Sequence, residues 1–513
     1  MRVSKEPNGK LNGFSKEDAS LLKNHVSSMD RNVYVIYNLP PEVVAVLFAY
    51  VSRSPASFRE NLLKLIKSKD IDIGELVRVY SEKGIDYAEA KEKARKFHER
   101  WVVGYGHSSV AEHAIASIAV EDVSMLATKA VEDSRLASYT EKSTRYQVFD
   151  RDKYYRPANV MTSEFAELYE NTCSSLFGLY LEIMPRMLRH VEKLYPRPAD
   201  MDEKLYEAVT KARACDVCRY VLPIATLTNL AITINARSLE RMITKLLSHP
   251  VPEMNQIGAA MKDEVVKLIP TLVKHADKNN YIHETDKAME FTCKNPVKER
   301  RETGNAAKLV GYDKDAENKV IASIIYKYSH GPYEELAKKV RQMDEHEKER
   351  IFDEFMKRLG RFDQPMRELE HVYYTFDILV DYGAFRDIQR HRICTQTNQM
   401  VTPANGYEMP QEIIDTGYEH KFRKAMDLAG DAFEKISQRF PKEAQYVVPL
   451  AYRKRTLFTW NLRELYHFVK LRSSKEGHIA YRKIAWDIYK EVKRVHPLLA
   501  KYMQVDFSEG PTR

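Results

Sequence analysis

The sequence predicts an α/β (α+β) fold made of two diverged copies of one helix-rich unit, each with a small sheet flanked by helices. Three observations lead there. The same landmarks recur in the same order, apolar residues fall at helical spacing over much of the chain, and strand-like stretches are few. At 513 residues the chain exceeds one ordinary core, and length alone allows roughly three domains or two large ones.

The repeat decides between them. A strand-like stretch after Glu-His reads EHAIASIAVEDVS from Glu112 and EHVYYTFDILVDYG from Glu370. An Arg-bearing segment follows at a nearly equal distance, DSRLASYTEKSTRY around Arg135 and RHRICTQTNQMVTP around Arg392. Then Pro223, Thr233, Asn235 and Arg237 match Pro449, Thr459, Asn461 and Arg463 at a constant offset of 226. The first two pairs stand 258 and 257 apart, so the second copy is about thirty residues shorter ahead of its Pro landmark. Three recurrences in order mark a tandem duplication.

Residues 1–30 read as a leader or an added helix. The first domain is expected over 31–295, with helical spacing through 41–67, 164–194, 203–219 and 235–275. A polar, mixed-charge stretch at 279–308 connects the copies. The second domain, 296–513, shows helical spacing through 317–328, 334–358, 419–438 and 461–498. Strands are expected after each Glu-His pair.

Composition narrows the class. Hydrophobic residues at 44% and charged residues at 30% give a globular balance. The net charge of +8 is mild for this length and suits anionic small molecules at least as well as nucleic acid, which usually meets a concentrated basic face. Five scattered cysteines fit a reducing cytoplasm and not a disulfide framework. The basic start has no apolar core behind it, and no run reaches the ~18 apolar residues of a membrane span. A soluble cytoplasmic protein without a membrane partner is the expectation. Cys215 and Cys218 have no second pair nearby, so packing is favoured over metal or redox work, and no metal is expected.

Four segments carry chemistry. GYGHSSVAEH (104–113) offers His107, Ser109 and Glu112 just before the first strand, though a capped loop is the plainer reading. SYTEKSTRY (138–146) sets Glu141, Ser143 and Arg145 at alternate positions, which point to one side of an extended stretch. A carboxylate, a hydroxyl and a guanidinium there can hold a polar ring and a phosphate; a solvated strand edge is the alternative. QRHR (389–392) places Arg390, His391 and Arg392 together, and guanidinium forks bind phosphates and stack on planar rings. In TWNLRELYHFVKLR (459–472), Arg463, His467 and Lys470 share one helical face, with Arg472 two and a half turns beyond Arg463.

Together these residues resemble the flavin-dependent thymidylate synthase family. Its hallmark is R-H-R-x7-S followed by Arg, and its later landmark is N-x-R-x-L-x-H-F-x-x-L-R. Neither copy is complete. The first has Asp133-Ser134-Arg135 for Arg-His-Arg but keeps Glu141, Ser143, Arg145 and, ahead of Leu-Pro, Arg219. The second keeps Arg390, His391, Arg392, Asn461, Arg463, His467 and Arg472, yet has Met400, Thr402 and Gln445 where the motif Ser and two Arg belong.

The family shares each site between subunits of a homotetramer, and the kept residues divide along that line. The resemblance implies one composite site per pair of halves, in a homodimer mimicking a four-domain tetramer. Arg390, Arg145 and Arg219 would clamp uridylate, with Ser143 at the pyrimidine edge and Arg472 stabilising the ring as an anion. His391, Arg392, Asn461, Arg463 and His467 would hold FAD, with Ser109 and Glu141 reaching from the first half and His107 and Glu112 beside them. The implied reaction methylates dUMP to dTMP, with methylenetetrahydrofolate and NADPH as co-substrates. Asp387 stands where the family commonly has Gln against the nucleotide. It leaves room for another pyrimidine nucleotide, and a non-catalytic nucleotide-binding paralogue is the third reading.

Overall fold

The computed structural model describes residues 13–50, 54–67, 108–293 and 306–508. Every stretch of helical spacing forms helix, and its breaks have local causes. Near the start, α1 (Lys16–Lys23), α2 (Pro41–Tyr50) and α3 (Phe58–Lys67) bury Leu22, Val26, Val43, Leu47 and Leu62 in one cluster. After α4 (Met125–Val131) come α5 (Ala166–Leu194) and α6 (Glu203–Cys218). The stretch 235–275 splits into α7 (Ala236–Leu247) and α8 (Pro252–Leu268), because Pro250 ends one helix and Pro252 starts the next at its first turn.

The second copy repeats the pattern. α9 (Ala316–Lys327) precedes α10 (Tyr333–Gln342) and α11 (Glu345–Met356), the last two parted by Asp344, whose side chain accepts from the Glu347 N–H at 2.7 Å. Then come α12 (Tyr382–Ile388), α13 (Glu419–Ser437), α14 (Leu462–Ser473) and α15 (Ile479–Val495). His478 caps α15 and so divides the stretch 461–498.

Two small sheets show the duplication residue by residue. The first holds β1 (Ile115–Ser124), β2 (Ala137–Glu141) and β3 (Leu227–Asn235) in the order β1-β3-β2. The second holds β4 (Ala307–Tyr312), β5 (Tyr373–Asp381), β6 (Cys394–Asn398) and β7 (Arg453–Asn461) in the order β4-β5-β7-β6. β2 matches β6 in length, and so does β3 with β7. Among the described residues β4 has no counterpart in the first sheet.

Local bonds repeat as well. Ser124 ends β1 and caps α4 by accepting from the Ala127 N–H at 3.0 Å, while Asp381 ends β5 and caps α12 through Ala384 at 2.7 Å. Asn235 caps α7 through the Ser238 N–H at 2.9 Å, and Asn461 caps α14 through Glu464 at 2.8 Å. Glu112 pairs with Arg237 as Glu370 pairs with Arg463. The cross-strand pair Ser117–Thr233 recurs as Thr375–Thr459. Much of the repeated signature is therefore the strand-to-helix joint itself.

The chain packs as two compact units that cut across the copies. Among the described residues one comprises those up to 121, 136–141 and 229–293; the other comprises 122–135, 142–228 and 306–508. Within the second unit, alternate residues of β5 (Tyr374, Phe376, Ile378) are buried, as are Phe458 and Trp460 of β7. Each such side chain contributes on the order of 1.5–3 kcal/mol. In the same unit residues 220–225 run antiparallel to 446–451, with an isolated bridge between Pro223 and Pro449.

Cap and ion pair make a stability prediction. Asn235→Ala should cost about 1 kcal/mol, read as a lower urea midpoint by circular dichroism, while Asn235→Asp should lose much less. Equal losses in the two variants would contradict a capping role.

Candidate functional site

The site grows from the joint between β5 and α12. Buried Phe385 and Ile388 anchor α12, and the chain then turns through Gln389 and Arg390 to His391. Gln389 is buried and donates to Glu132 at 2.8 Å, which holds the turn down. Arg390 emerges exposed, His391 is only 4% exposed and Arg392 is half-buried.

α14 supplies the facing wall. Arg472 Nε donates to His391 Nε2 at 2.9 Å, and His391 Nδ1 lies 2.9 Å from Glu464 Oε1. A guanidinium N–H can only donate, so Nε2 carries the lone pair and the ring proton sits on Nδ1, donated to Glu464. His391 is thus a neutral imidazole of one tautomer. Burial, and then the nearby Arg472, hold its pKa well below the ordinary value; burial raises that of Glu464. The His467 ring stands 5.4 Å from that of His391.

These residues line a cavity of about 390 Å3 that includes Arg390, Arg392, Asn461, Arg463 and Arg472. Two of them are already engaged. Asn461 holds the start of its own helix, and Arg463 donates to Pro365 O, Glu370 and Gln364 at 2.7, 2.9 and 3.2 Å. They shape the wall more than they reach a ligand.

A second cluster gathers first-copy residues around a buried carboxylate. Asp216 on α6 lies 2.9 Å from Arg219 and 3.3 Å from Arg145. Burial opposes its charge, but Arg219 and Arg145 keep its pKa below the ordinary value. Burial alone would lower the Arg219 pKa, yet Asp216 and then Asp387 hold it raised. Arg219 and Arg386 both reach Thr144 Oγ1, at 3.3 and 3.4 Å. Asp387 lies 3.8 Å from Arg472 and adds to the field at Arg145, so it stands electrostatically between the two clusters. Arg145, Asp216 and His478 line a larger cavity of about 760 Å3.

The remaining candidates fall elsewhere or behave differently. Glu141, Ser143 and Arg145 do not share one extended stretch: β2 ends at Glu141 and Thr144–Tyr146 form a turn, because Arg145 bends toward Asp216. Ser143 is half-buried and its Oγ accepts from the Arg145 N–H at 3.1 Å. Glu141 is buried, Ser109 exposed, and Glu112 pairs with Arg237; all three belong to the first compact unit. His107 lies outside the described residues. Cys215 and Cys218 are buried free thiols whose pKa values burial raises, as packing cysteines require.

Asp216, Arg386, Glu464 and His478 escaped the sequence reading, which named Arg135 as a repeat landmark but not as a site residue. Only Glu464 carried a usable signal, its i, i+3 spacing from His467. Ligand atoms of His391, Glu464 and His467 lie within 4.8 Å of one another, a spacing that suits a divalent cation. The Arg472 bond opposes that use, since it puts a proton on Nδ1, where a metal facing Glu464 needs the lone pair. The donor set fits an anionic, planar ligand better: guanidiniums for phosphate and a fixed N–H and ring face for a heterocycle.

Fold and site together define a duplicated α+β protein that sets an Arg-His-Arg turn against an Asn-x-Arg helix. The chain belongs to the thymidylate synthase complementing protein family, whose model matches it twice, over residues 61–271 and 308–498. A UPF0159 protein of Chlamydia muridarum is 36% identical over 97% of this chain and 96% of its own length. A UPF0159 protein of Thermoplasma acidophilum is 29% identical over 82% of this chain and 91% of its own. The flavin-dependent thymidylate synthase of Sulfolobus acidocaldarius is 31% identical over 42% of this chain and 74% of its own. A solved flavin-dependent thymidylate synthase of Helicobacter pylori, complexed with FAD and dUMP, covers 38% of this chain at 16% identity with a TM-score of 0.29. Among the described residues no helix is long and apolar enough to cross a membrane.

The buried histidines set a pH dependence. Burial brings His478 down to about 4 and His391 well below its ordinary value. Both protonate in the unfolded chain near pH 6.5, so below that the unfolded state binds more protons at these two sites and their contribution to stability falls toward about pH 4. His478→Gln should shrink the stability loss between about pH 7 and pH 5 in urea unfolding. An unchanged loss would contradict a neutral buried His478.

Proposed function

We propose that the chain is an FAD-dependent thymidylate synthase-like enzyme, methylating dUMP to dTMP with methylenetetrahydrofolate and NADPH. The single observation that carries this reading is the cavity in which Arg390, His391, Arg392 and Arg472 meet, with His391 held neutral between Arg472 and Glu464. Membership of the family and the flavin-dependent names of partial-length relatives support it. The copies, divided near residue 295, would contribute unequally to one composite site per chain, in a homodimer.

The chain's own residues then have distinct tasks. Arg390, Arg145 and Arg219 bind the nucleotide's phosphate and base, and the last two are pre-positioned by Asp216. Arg472, fixed by His391, presents a cation to negative charge developing on the pyrimidine. Arg392 and His467 hold the cofactor beside the neutral His391, which offers a ring face without adding charge. When bound, the flavin supplies the hydride that turns the transferred methylene into a methyl group, with NADPH as its source. The balance is dUMP, methylenetetrahydrofolate, NADPH and a proton in; dTMP, tetrahydrofolate and NADP+ out.

Asp387 favours a second reading. Its carboxylate only accepts hydrogen bonds, so a base edge that donates, such as a cytosine amine, suits it better than a carbonyl. This predicts an outcome in either case. FAD-loaded protein should oxidise NADPH in a nucleotide-dependent way, and Arg472→Ala should lower that rate by about a hundredfold or more. Product identification with dUMP and with dCMP separates the substrates. A protein that binds no FAD and oxidises no NADPH with either nucleotide would overturn the enzyme reading.

A further inference from the structure

The two copies end their long strands differently. At an offset of 257, Ser124 caps α4 and Asp381 caps α12, each accepting one backbone N–H, from Ala127 at 3.0 Å and from Ala384 at 2.7 Å. Both are buried. A hydroxyl makes this bond without charge, whereas a buried carboxylate carries a desolvation cost that capping does not require. The second copy's carboxylate therefore has a further task.

Its surroundings show what that task is. Asp381 is 1% exposed, and its Oδ2 has no hydrogen-bond partner among the described residues. The same holds for Nε of Arg219, itself 2% exposed. Gly383 lies between them. A Cβ there would stand 3.2 Å from Asp381 Oδ1 and 3.7 Å from Arg219 Nε, so the bare first turn of α12 can rest against the guanidinium. The first copy has Leu126 at the matching position.

Charge around the carboxylate is uneven. Burial above all, and Glu408, push the Asp381 pKa up, against the Ala384 N–H, Arg219 and Tyr220, to about 7. Arg453 stands opposite Asp381 in the β5–β7 register, but its Nε donates to Glu408 at 2.6 Å. Arg219 in turn has Asp216 at 2.9 Å and the field of Asp387.

We infer that Asp381 is a positioning residue for the anionic nucleotide, acting through Arg219: ionised, it offsets the guanidinium's charge and weakens its hold on the ligand; neutral, it leaves that charge to the ligand. This rests on the reading of Arg219 as a nucleotide-binding residue. By linkage, an anion bound at Arg219 raises the Asp381 pKa further, so binding takes up a proton and affinity falls as pH rises through about 7.

The test is calorimetric titration of dUMP into the full chain with FAD present, at about pH 6, 7 and 8.5, in buffers of different ionisation enthalpy. Wild type is compared with Asp381→Asn and Asp381→Ser, both of which keep a capping acceptor, and circular dichroism checks that each is folded. At the lowest pH the three proteins should bind dUMP within about twofold of one another. At the highest, both variants should bind it about five- to tenfold more tightly than wild type, since one pKa unit of linkage is a factor of about ten. Near neutral pH wild type should take up more protons per dUMP than either variant; the ligand phosphate's own ionisation enters all three alike. A ratio of affinities that does not change with pH, or equal proton uptake, would overturn the inference and leave the nucleotide reading intact. Failure of all three proteins to bind dUMP or dCMP at any of these pH values would sink the nucleotide reading, and this inference with it.

Discussion

Four backbone hydrogen bonds join the Leu222-Pro223 segment of the first copy to the Val448-Pro449 segment of the second. Ala451 and Leu450 donate to Tyr220 and Leu222 at 3.0 and 2.9 Å, and Ile224 and Ala225 donate to Val448 and Tyr446 at 2.9 and 3.0 Å. Buried amides and carbonyls must pair somewhere, and here each copy satisfies the other. The consequence reaches the site. Arg219 leads into one segment and Gln445 into the other, so second-copy elements and the first copy's Arg145–Asp216–Arg219 cluster share one compact unit.

Within that unit, charge is handled by burial and pairing. Asp216 is buried beneath two guanidiniums, each of which would be costly alone and is tolerable only with the carboxylate present. His391 illustrates the opposite solution. It lies too deep and too near Arg472 to hold a proton on both nitrogens, so it stays neutral and relays a hydrogen bond from Arg472 to Glu464. Both arrangements fix side chains in advance, which is what a site for anionic ligands requires.

Much of this was legible in the sequence because the landmarks are structural joints. Asn235 and Asn461 recur as helix caps, Glu112–Arg237 and Glu370–Arg463 recur as ion pairs, and both sit where strand meets helix. The longer helices were legible from apolar spacing, apart from breaks at Pro250, Asp344 and His478, whereas Met125–Val131, Asn280–Thr292 and Tyr382–Ile388 lie outside the stretches so read. What escaped has no spacing to read. Asp216 is one carboxylate in an apolar helix end, and its partner Arg145 lies seventy-one positions earlier. That same ion pair bends the chain after β2 and spoils the alternation expected of Glu141, Ser143 and Arg145. β4 follows no Glu-His pair and joins the edge of its sheet through non-local pairing with β5.

Two copies that have kept complementary residues should make one working site between them instead of one each. Calorimetric titration of dUMP into the FAD-loaded full-length protein measures this directly, as nucleotide bound per chain. The composite site predicts one dUMP per 513-residue chain. Two equivalent dUMP sites per chain would contradict it.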